Sequence, residues 1–324
     1  MDIKKFLPSI LLLCLSTVLQ AKIQDSEIFL ADPYILLEDG IYYAYGTESD
    51  SGINCYISED LEYWKFAGLA LDMKNTTEKK WFWAPEVYHI GNRYLMYYSA
   101  NEHLYVAEGE SPTGPFKQIG GYMMENLIGK EQCIDSSIYF SEDGTPYLFF
   151  VRFNDGNCIW QCQLKEDCIT PVPGTLKLCF KAEEPWERVK AKVAEGPNVL
   201  CKGKEVYLSY SANDYKSQDY AVGYATSKDV ASGQWTKNPG NPILHRWEGQ
   251  FGTGHHSFFY DKKGKLRIVY HAHFSEHQIG PRRMYIGTAS LRNGKLKIKH
   301  DPIISPKRID KTFHKNKRFI MSVS

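Results

Sequence analysis

Three acidic residues stand at one recurring point of this sequence: Asp32 in Leu30-Ala31-Asp32-Pro33, Asp135 in Ile134-Asp135-Ser136, and Glu195 in Ala194-Glu195-Gly196-Pro197. Each lies eight or nine residues before a glycine (Gly40, Gly144, Gly203) that opens an aromatic, β-branched run. The same offset before Gly91 and Gly264 picks out Trp83 and His255. A lone Asp at such a place reads as a turn residue. Three acids at one phase, with no Arg or Lys adjacent, read as a group. Clustered carboxylates raise one another's pKa, so one can stay protonated as an acid while another stays ionised as a base. Glycosidic bonds are cleaved with that equipment.

The repeat itself must bring these residues together. Five stretches share one pattern, a Gly turn followed by an aromatic strand, and their marker glycines fall at 40, 91, 144, 203 and 264. Each turn joins two strands as a hairpin. A third strand follows, as in Asn54-Cys55-Tyr56-Ile57 or Met284-Tyr285-Ile286-Gly287, and a weak fourth comes near Trp64-Lys65-Phe66, Phe116-Lys117 and Trp235. Four antiparallel strands in each of five units predict an all-β fold, a five-bladed β-propeller. The first strand of each blade then lines a central channel, and equivalent positions converge at its mouth. A pair of β-sandwich domains leaves the shared phase unexplained. Helical periodicity is absent, with at most a short helical turn in 183–193.

Composition agrees. The chain has 324 residues, 14% of them aromatic, with 39 Lys+Arg against 38 Asp+Glu. Aromatics favour strands. The balanced charge argues against a nucleic-acid partner. Residues 1–21, with Lys4, Lys5, an apolar run from Phe6 to Leu19 and the small Ala21, read as an export signal, too short to span a membrane. Leu11-Leu12-Leu13 before Cys14 disfavour a lipid anchor. Residues 22–324 are then one domain, with periplasmic or extracellular residence. Seven cysteines follow the signal. Their odd number leaves at least one thiol unpaired, and they read as mostly buried free thiols. Gly252-Thr253-Gly254 is no phosphate loop, because no helix follows.

These segments resemble glycoside hydrolase family 43 from about Phe29 to Leu291. The motifs that carry the likeness are Ala31-Asp32-Pro33, Trp83-Ala84-Pro85-Glu86, Ile134-Asp135-Ser136, Ala194-Glu195-Gly196-Pro197 and Gly252-Thr253-Gly254-His255. The resemblance implies an inverting mechanism, with Asp32 as the general base that activates water and Glu195 as the general acid. Asp135 would hold the acid's pKa up and orient it. Trp83 would wall the sugar. A substrate-contacting arginine falls at Arg282 or Arg283, with Arg283 favoured, and Phe153, Asn213 and Trp247 are candidate rim contacts. Glu86, deeper along its strand, reads as structural, and His256 should face away from His255.

No cofactor is needed for the chemistry. The family resemblance also implies a calcium ion in the channel, which His255 would reach through water, since calcium prefers oxygen ligands. The substrate class is plant polysaccharide or oligosaccharide, and an exo-acting α-L-arabinofuranosidase acting as a monomer is the first reading. A β-xylosidase or other xylan-directed hydrolase, an arabinanase and a galactanase are alternatives within the family. A sugar-binding propeller without catalysis is the non-enzyme alternative. Retaining fructan hydrolases share the architecture, but their Arg-Asp-Pro and Glu-Cys signatures are missing.

Overall fold

The computed structural model describes residues 26–309. The expected export signal lies outside the described residues. Five sheets follow one another along the chain, four of them with their strands in sequence order and the first with the last strand of the described chain added at its outer edge. Their first strands are Ala31–Glu38, Trp83–Ile90, Cys133–Phe140, Ala194–Lys202 and Gly254–Tyr260. Their second strands are Ile41–Ser49, Arg93–Ala100, Pro146–Arg152, Glu205–Ala212 and Leu266–Ala272. The four successive strands of each blade pair antiparallel, which gives the five-bladed propeller. The marker glycines turn the chain between first and second strands with φ of 74°, 68°, 84°, 60° and 68°. Only glycine adopts that region readily.

Both faces of every blade are buried, because each packs on two neighbours. The hydrophobic core accordingly divides into five clusters, one in each gap. Tyr45 and Cys55 of blade one meet Val87 and Tyr98 of blade two, and Leu95 and Tyr97 meet Ile138 and Phe150 of blade three. Phe149 and Val151 meet Leu208 and Tyr210 of blade four. Tyr207 and Tyr224 meet Ile268 and Tyr270 of blade five, and Val269 and Ile286 return to Tyr42 and Trp64 of blade one. Burying one such side chain contributes about 1.5–3 kcal/mol. The buried tyrosines keep their hydroxyls bonded: Tyr45 donates to the Pro112 carbonyl at 2.5 Å and Tyr97 to that of Cys168 at 2.6 Å. The aromatic excess of the sequence is thus mostly inter-blade packing.

The fourth strands vary. Blade one carries a long one, Tyr63–Asp72, while blade four keeps only Thr236–Lys237. Trp235 is drawn off the ladder and donates its indole N–H to Gln161 Oε1 in blade three at 2.8 Å. The ring is closed by Lys307–Arg308, which runs parallel to Tyr63–Asp72 on one side and antiparallel to Ser26–Glu27 on the other. The seven cysteines of the described residues are free thiols, five of them buried.

Candidate active site

Every first strand breaks its ladder near its start. The register shifts between Ala31 and Tyr34, Trp83 and Glu86, Ile134 and Ser137, Glu195 and Asn198, and Gly254 and Ser257. Inside each bulge one residue is left-handed: Asp32 (φ 49°), Ala84 (44°), Asp135 (57°), Gly196 (55°) and His255 (43°). Asp and His tolerate this region better than most residues, whereas Ala84 costs about 1–2 kcal/mol. Bulges re-aim side chains next to active sites. They also correct the sequence alignment by one residue in two blades. Asp32, Asp135 and His255 share the left-handed position, while Trp83 and Glu195 stand one place before it.

A second regularity fixes the left-handed residues. Each donates its backbone N–H to a side chain of the preceding blade. The Ala84 N–H goes to Thr47 Oγ1 (3.0 Å), that of Asp135 to Ser99 Oγ (3.1 Å), that of His255 to Ser211 Oγ (2.7 Å), and that of Asp32 to His271 Nδ1 (3.1 Å). These acceptors occupy the same place in successive second strands. Blade three has Val151 there, facing Ile134. The orphaned Gly196 N–H is taken instead by the Asp135 carboxylate, Oδ2 at 3.1 Å. An apolar residue in one blade thereby anchors Asp135 across the blade gap. Glycine suits this place, since a Cβ would come 3.2 Å from the His255 ring and push it by a few tenths of an ångström.

The three acids are buried and differ sharply in charge preference. Burial pushes the Asp32 carboxyl upward, but the Arg282 guanidinium and the His255 and His271 rings outweigh it and hold the group well below the usual carboxylate range. Arg282 Nη1 lies 2.8 Å from Asp32 Oδ1, and His255 Nδ1 and His271 Nδ1 each lie 3.3 Å from the same oxygen. Glu195 is pushed up to about 7 by burial, against the hydrogen bonds it accepts and with the Asp32 charge adding to the rise. It accepts from the Tyr220 hydroxyl at 2.8 Å and from Asn157 Nδ2 at 2.9 Å. Burial, then the charges of Glu195 and Asp32, raise Asp135 well above its ordinary value. One ionised carboxylate and two carboxyls that resist ionising therefore share the site, with Arg282 as the counter-ion.

A family model described as "Glycosyl hydrolases family 43" matches residues 26–291. The chain belongs to glycosyl hydrolases family 43. An endo-1,4-beta-xylanase from Bacteroides thetaiotaomicron is similar at 39% identity and a TM-score of 0.84, covering 89% of this chain and 100% of that one. An endo-arabinase of the same organism is similar at 27% identity and a TM-score of 0.68, covering 82% of this chain and 96% of that one. An extracellular exo-alpha-(1->5)-L-arabinofuranosidase from Streptomyces avermitilis is 30% identical over 215 residues, 58% of this chain and 42% of the relative. The chain spans about half the length of the curated relatives it matches.

In this family 43 chain the second-to-third-strand loops and the blade-to-blade connections lie on the face where the first strands begin. Arg282, Phe153, Asn213 and Trp247 all belong to that face. Only Arg282 reaches an acid. Arg283, favoured by the sequence, points the other way. It pairs with Glu27 at 3.0 Å and stacks over Phe274, as neighbours at the start of a strand must. Asn213 is no rim contact: it is fully buried, its Oδ1 accepts from the Lys190 and Ala191 backbone at 2.8 and 3.3 Å, and its Nδ2 donates to Ser217. Phe153 is exposed just past the second strand of blade three. Trp247 sits half-buried in a turn closed by two backbone bonds with Gln250. Trp83 is half-buried and stacks on the exposed Trp81 at 5.7 Å, with Lys80 over the outer ring.

Asp32 and Asp135 also line a cavity of about 10 Å³, which Glu86, Ser136, His255 and His256 border with them. That is close to the least volume that holds one water. His256 therefore does not face away from the channel, because the bulge interrupts the alternation. Ser209 Oγ donates to the Asn198 carbonyl, so His256 Nε2 must donate to Ser209 Oγ at 2.7 Å. Its Nδ1, like Ser136 Oγ, is buried without a partner. Glu86 accepts from the Tyr88 hydroxyl and from Asn198 Nδ2, and burial raises it to about 7. Calcium takes six to eight oxygens, several of them ionised. Here the unpartnered atoms are neutral and the carboxylates are committed elsewhere. Among the described residues no cluster of three His, Cys, Asp or Glu side chains could hold a metal. The cavity suits an ordered water.

Four residues of the site carry no sequence motif: His271, Tyr220, Asn157 and Ser99. His271 and Ser99 share a second-strand position with Thr47 and Ser211, but the residue type changes from blade to blade and leaves no motif. Tyr220 and Asn157 come from loops of unequal length. The two glycines of Gly252-Thr253-Gly254 serve packing. A Cβ on Gly254 would come 2.3 Å from the Tyr220 ring, and one on Gly252 would come 2.1 Å from the His273 ring.

Proposed function

We propose that the protein is an inverting glycoside hydrolase that removes α-L-arabinofuranosyl units from plant polysaccharides or oligosaccharides. The carrying observation is the opposite poise of two buried carboxyls at one mouth. Asp32, held ionised by Arg282, takes a proton from the attacking water, and Glu195, protonated up to about 7, gives one to the leaving oxygen. Asp135, bound to the backbone of the residue after Glu195, keeps the acid oriented, while the Asp32 charge adds to the rise of the acid's pKa. Arg282, leaning on Tyr215, and Trp83 with Trp81 offer contacts to the sugar. The arabinose reading is supported by relatives named as arabinofuranosidases and endo-arabinases. Export is the companion reading, with residues 1–21 as its signal, and extracellular relatives support it.

Proton NMR of the first sugar released from an aryl α-L-arabinofuranoside checks the stereochemistry. The β-anomer should appear first, and first-formed α-anomer would refute inversion. Activity should also be bell-shaped in pH. It rises as Asp32 ionises, in the range below ordinary carboxylates, and falls above about 7 as Glu195 loses its proton. A profile of kcat/KM from acid to alkaline pH reads both limbs, and a flat profile through pH 7 to 9 contradicts the assignment of the acid.

A second reading, xylan-directed hydrolysis, is favoured by the structure named endo-1,4-beta-xylanase, which is similar over its whole length. Parallel assays on aryl arabinofuranoside, aryl xyloside and the two polysaccharides separate the readings.

A further inference from the structure

We propose that His271 is a positioning residue that couples the two catalytic carboxyls, holding Asp32 directly and Glu195 through Tyr220. The inference rests on the hydrolase reading above and deepens it.

Three other blades show what this second-strand position needs structurally. Thr47, Ser99 and Ser211 bind the neighbour's N–H with a hydroxyl. His271 makes the same clasp with Nδ1 and does more. Its Nδ1 also lies 3.3 Å from the Asp32 carboxylate, and its Nε2 lies 3.3 Å from Arg282 Nη1. Accepting the Asp32 N–H leaves Nδ1 without a proton, and burial pushes the ring's pKa down to about 3, so a neutral imidazole packs against the carboxylate and the counter-ion of Asp32 and fixes their places. Its face lies nearly parallel to Tyr220, 5.7 Å between centroids at 10°, and the Tyr220 hydroxyl donates to Glu195 Oε1 at 2.8 Å. Gly254 leaves the room that Tyr220 occupies. Full burial of an imidazole is unfavourable unless its nitrogens are engaged, and a serine would have served the clasp alone.

The titratable groups around Asp32 are Arg282, His255 and His271, each within 3.3 Å of its Oδ1, and the Asp135 and Glu195 carboxyls that feel its charge. Losing the imidazole frees the Asp32 N–H and loosens the packing that keeps Arg282 against the carboxylate. It also lets Tyr220 shift, and a displacement of about 1 Å in such a pair costs about 10²-fold.

The test is His271→Ser, which restores the hydroxyl used in blades two and four. The folded variant should lose about 10- to 100-fold in kcat with a much smaller change in KM, and its acidic limb should move to higher pH. His271→Asn, whose amide can still meet the Asp32 N–H and carboxylate, should recover the acidic limb but not the full kcat. It carries the test if the serine variant does not fold. Carbon-13 titration of labelled aspartate reads the Asp32 pKa in wild type and variants without turnover. Serine and asparagine variants with wild-type kcat, acidic limb and Asp32 titration would overturn the proposal. A wild-type protein inactive on every glycoside would remove the hydrolase reading instead, leaving the titration to decide whether His271 holds Asp32.

Discussion

Glu195→Gln lowers kcat on substrates with alkoxide leaving groups by roughly 10²–10⁴-fold, the range a positioned general acid supplies, and leaves sugar binding nearly intact. The amide fits the site. With its oxygen toward Asn157 Nδ2, its NH2 meets the Tyr220 hydroxyl, which can accept as well as donate. The Tyr220 proton then loses its carboxylate acceptor, at a cost of about 1–3 kcal/mol, so circular dichroism should first confirm the fold, and the loss in the folded variant reports chemistry. A leaving group that departs without a proton bypasses the acid, so the defect should shrink on an aryl glycoside of an acidic phenol. Steady-state kinetics on phenyl and dinitrophenyl glycosides checks this. An equal loss on both would point to a collapsed site and would take the general-acid role from Glu195.

Asp32→Asn produces a loss at the upper end of that range, about 10⁴-fold, whatever the leaving group. The amide oxygen can still accept from Arg282, where the carboxylate does so at 2.8 Å, and the backbone clasp to His271 is untouched. What disappears is the basic lone pair that takes the proton from water. Arg282 is also left without its negative partner inside a buried site, which makes this variant the less stable of the two. Wild type and variant should be compared on the activated aryl glycoside. Rescue there to within about tenfold of wild type would remove Asp32 from the base's role, since leaving-group activation cannot replace the deprotonation of water.

Much of this molecule was legible because its repeat is punctuated. Five glycine turns with positive φ divide the chain into blades, and an aromatic strand after each turn is what a sheet buried on both faces requires. The phase was legible only to within a residue. A bulge adds one residue to the first strand without leaving a mark in composition, so Glu195 and Trp83 were set level with Asp32 although they stand one place before the left-handed position. Arg282 and Arg283 are adjacent and chemically identical, and the alternation at a strand's start, which sequence cannot phase, sends only the first to Asp32. His271 was hidden for another reason. Its equivalents are Thr, Ser, Val and Ser, and the repeat is visible only in what their side chains bind. Asn213 has the look of a rim residue, in a polar loop, but its amide is used up in bracing Lys190 and Ala191.

The closing strand has a consequence for how the enzyme meets a polymer. Ser26 and Arg308 are direct partners, both on the outer edge of blade one. Any tether fixed to either described end therefore grips the disc by its circumference, as a wheel is held at one point of its tyre. Both described ends thus lie away from the hub face that carries Asp32 and Glu195 and from the opposite hub with its five glycine turns.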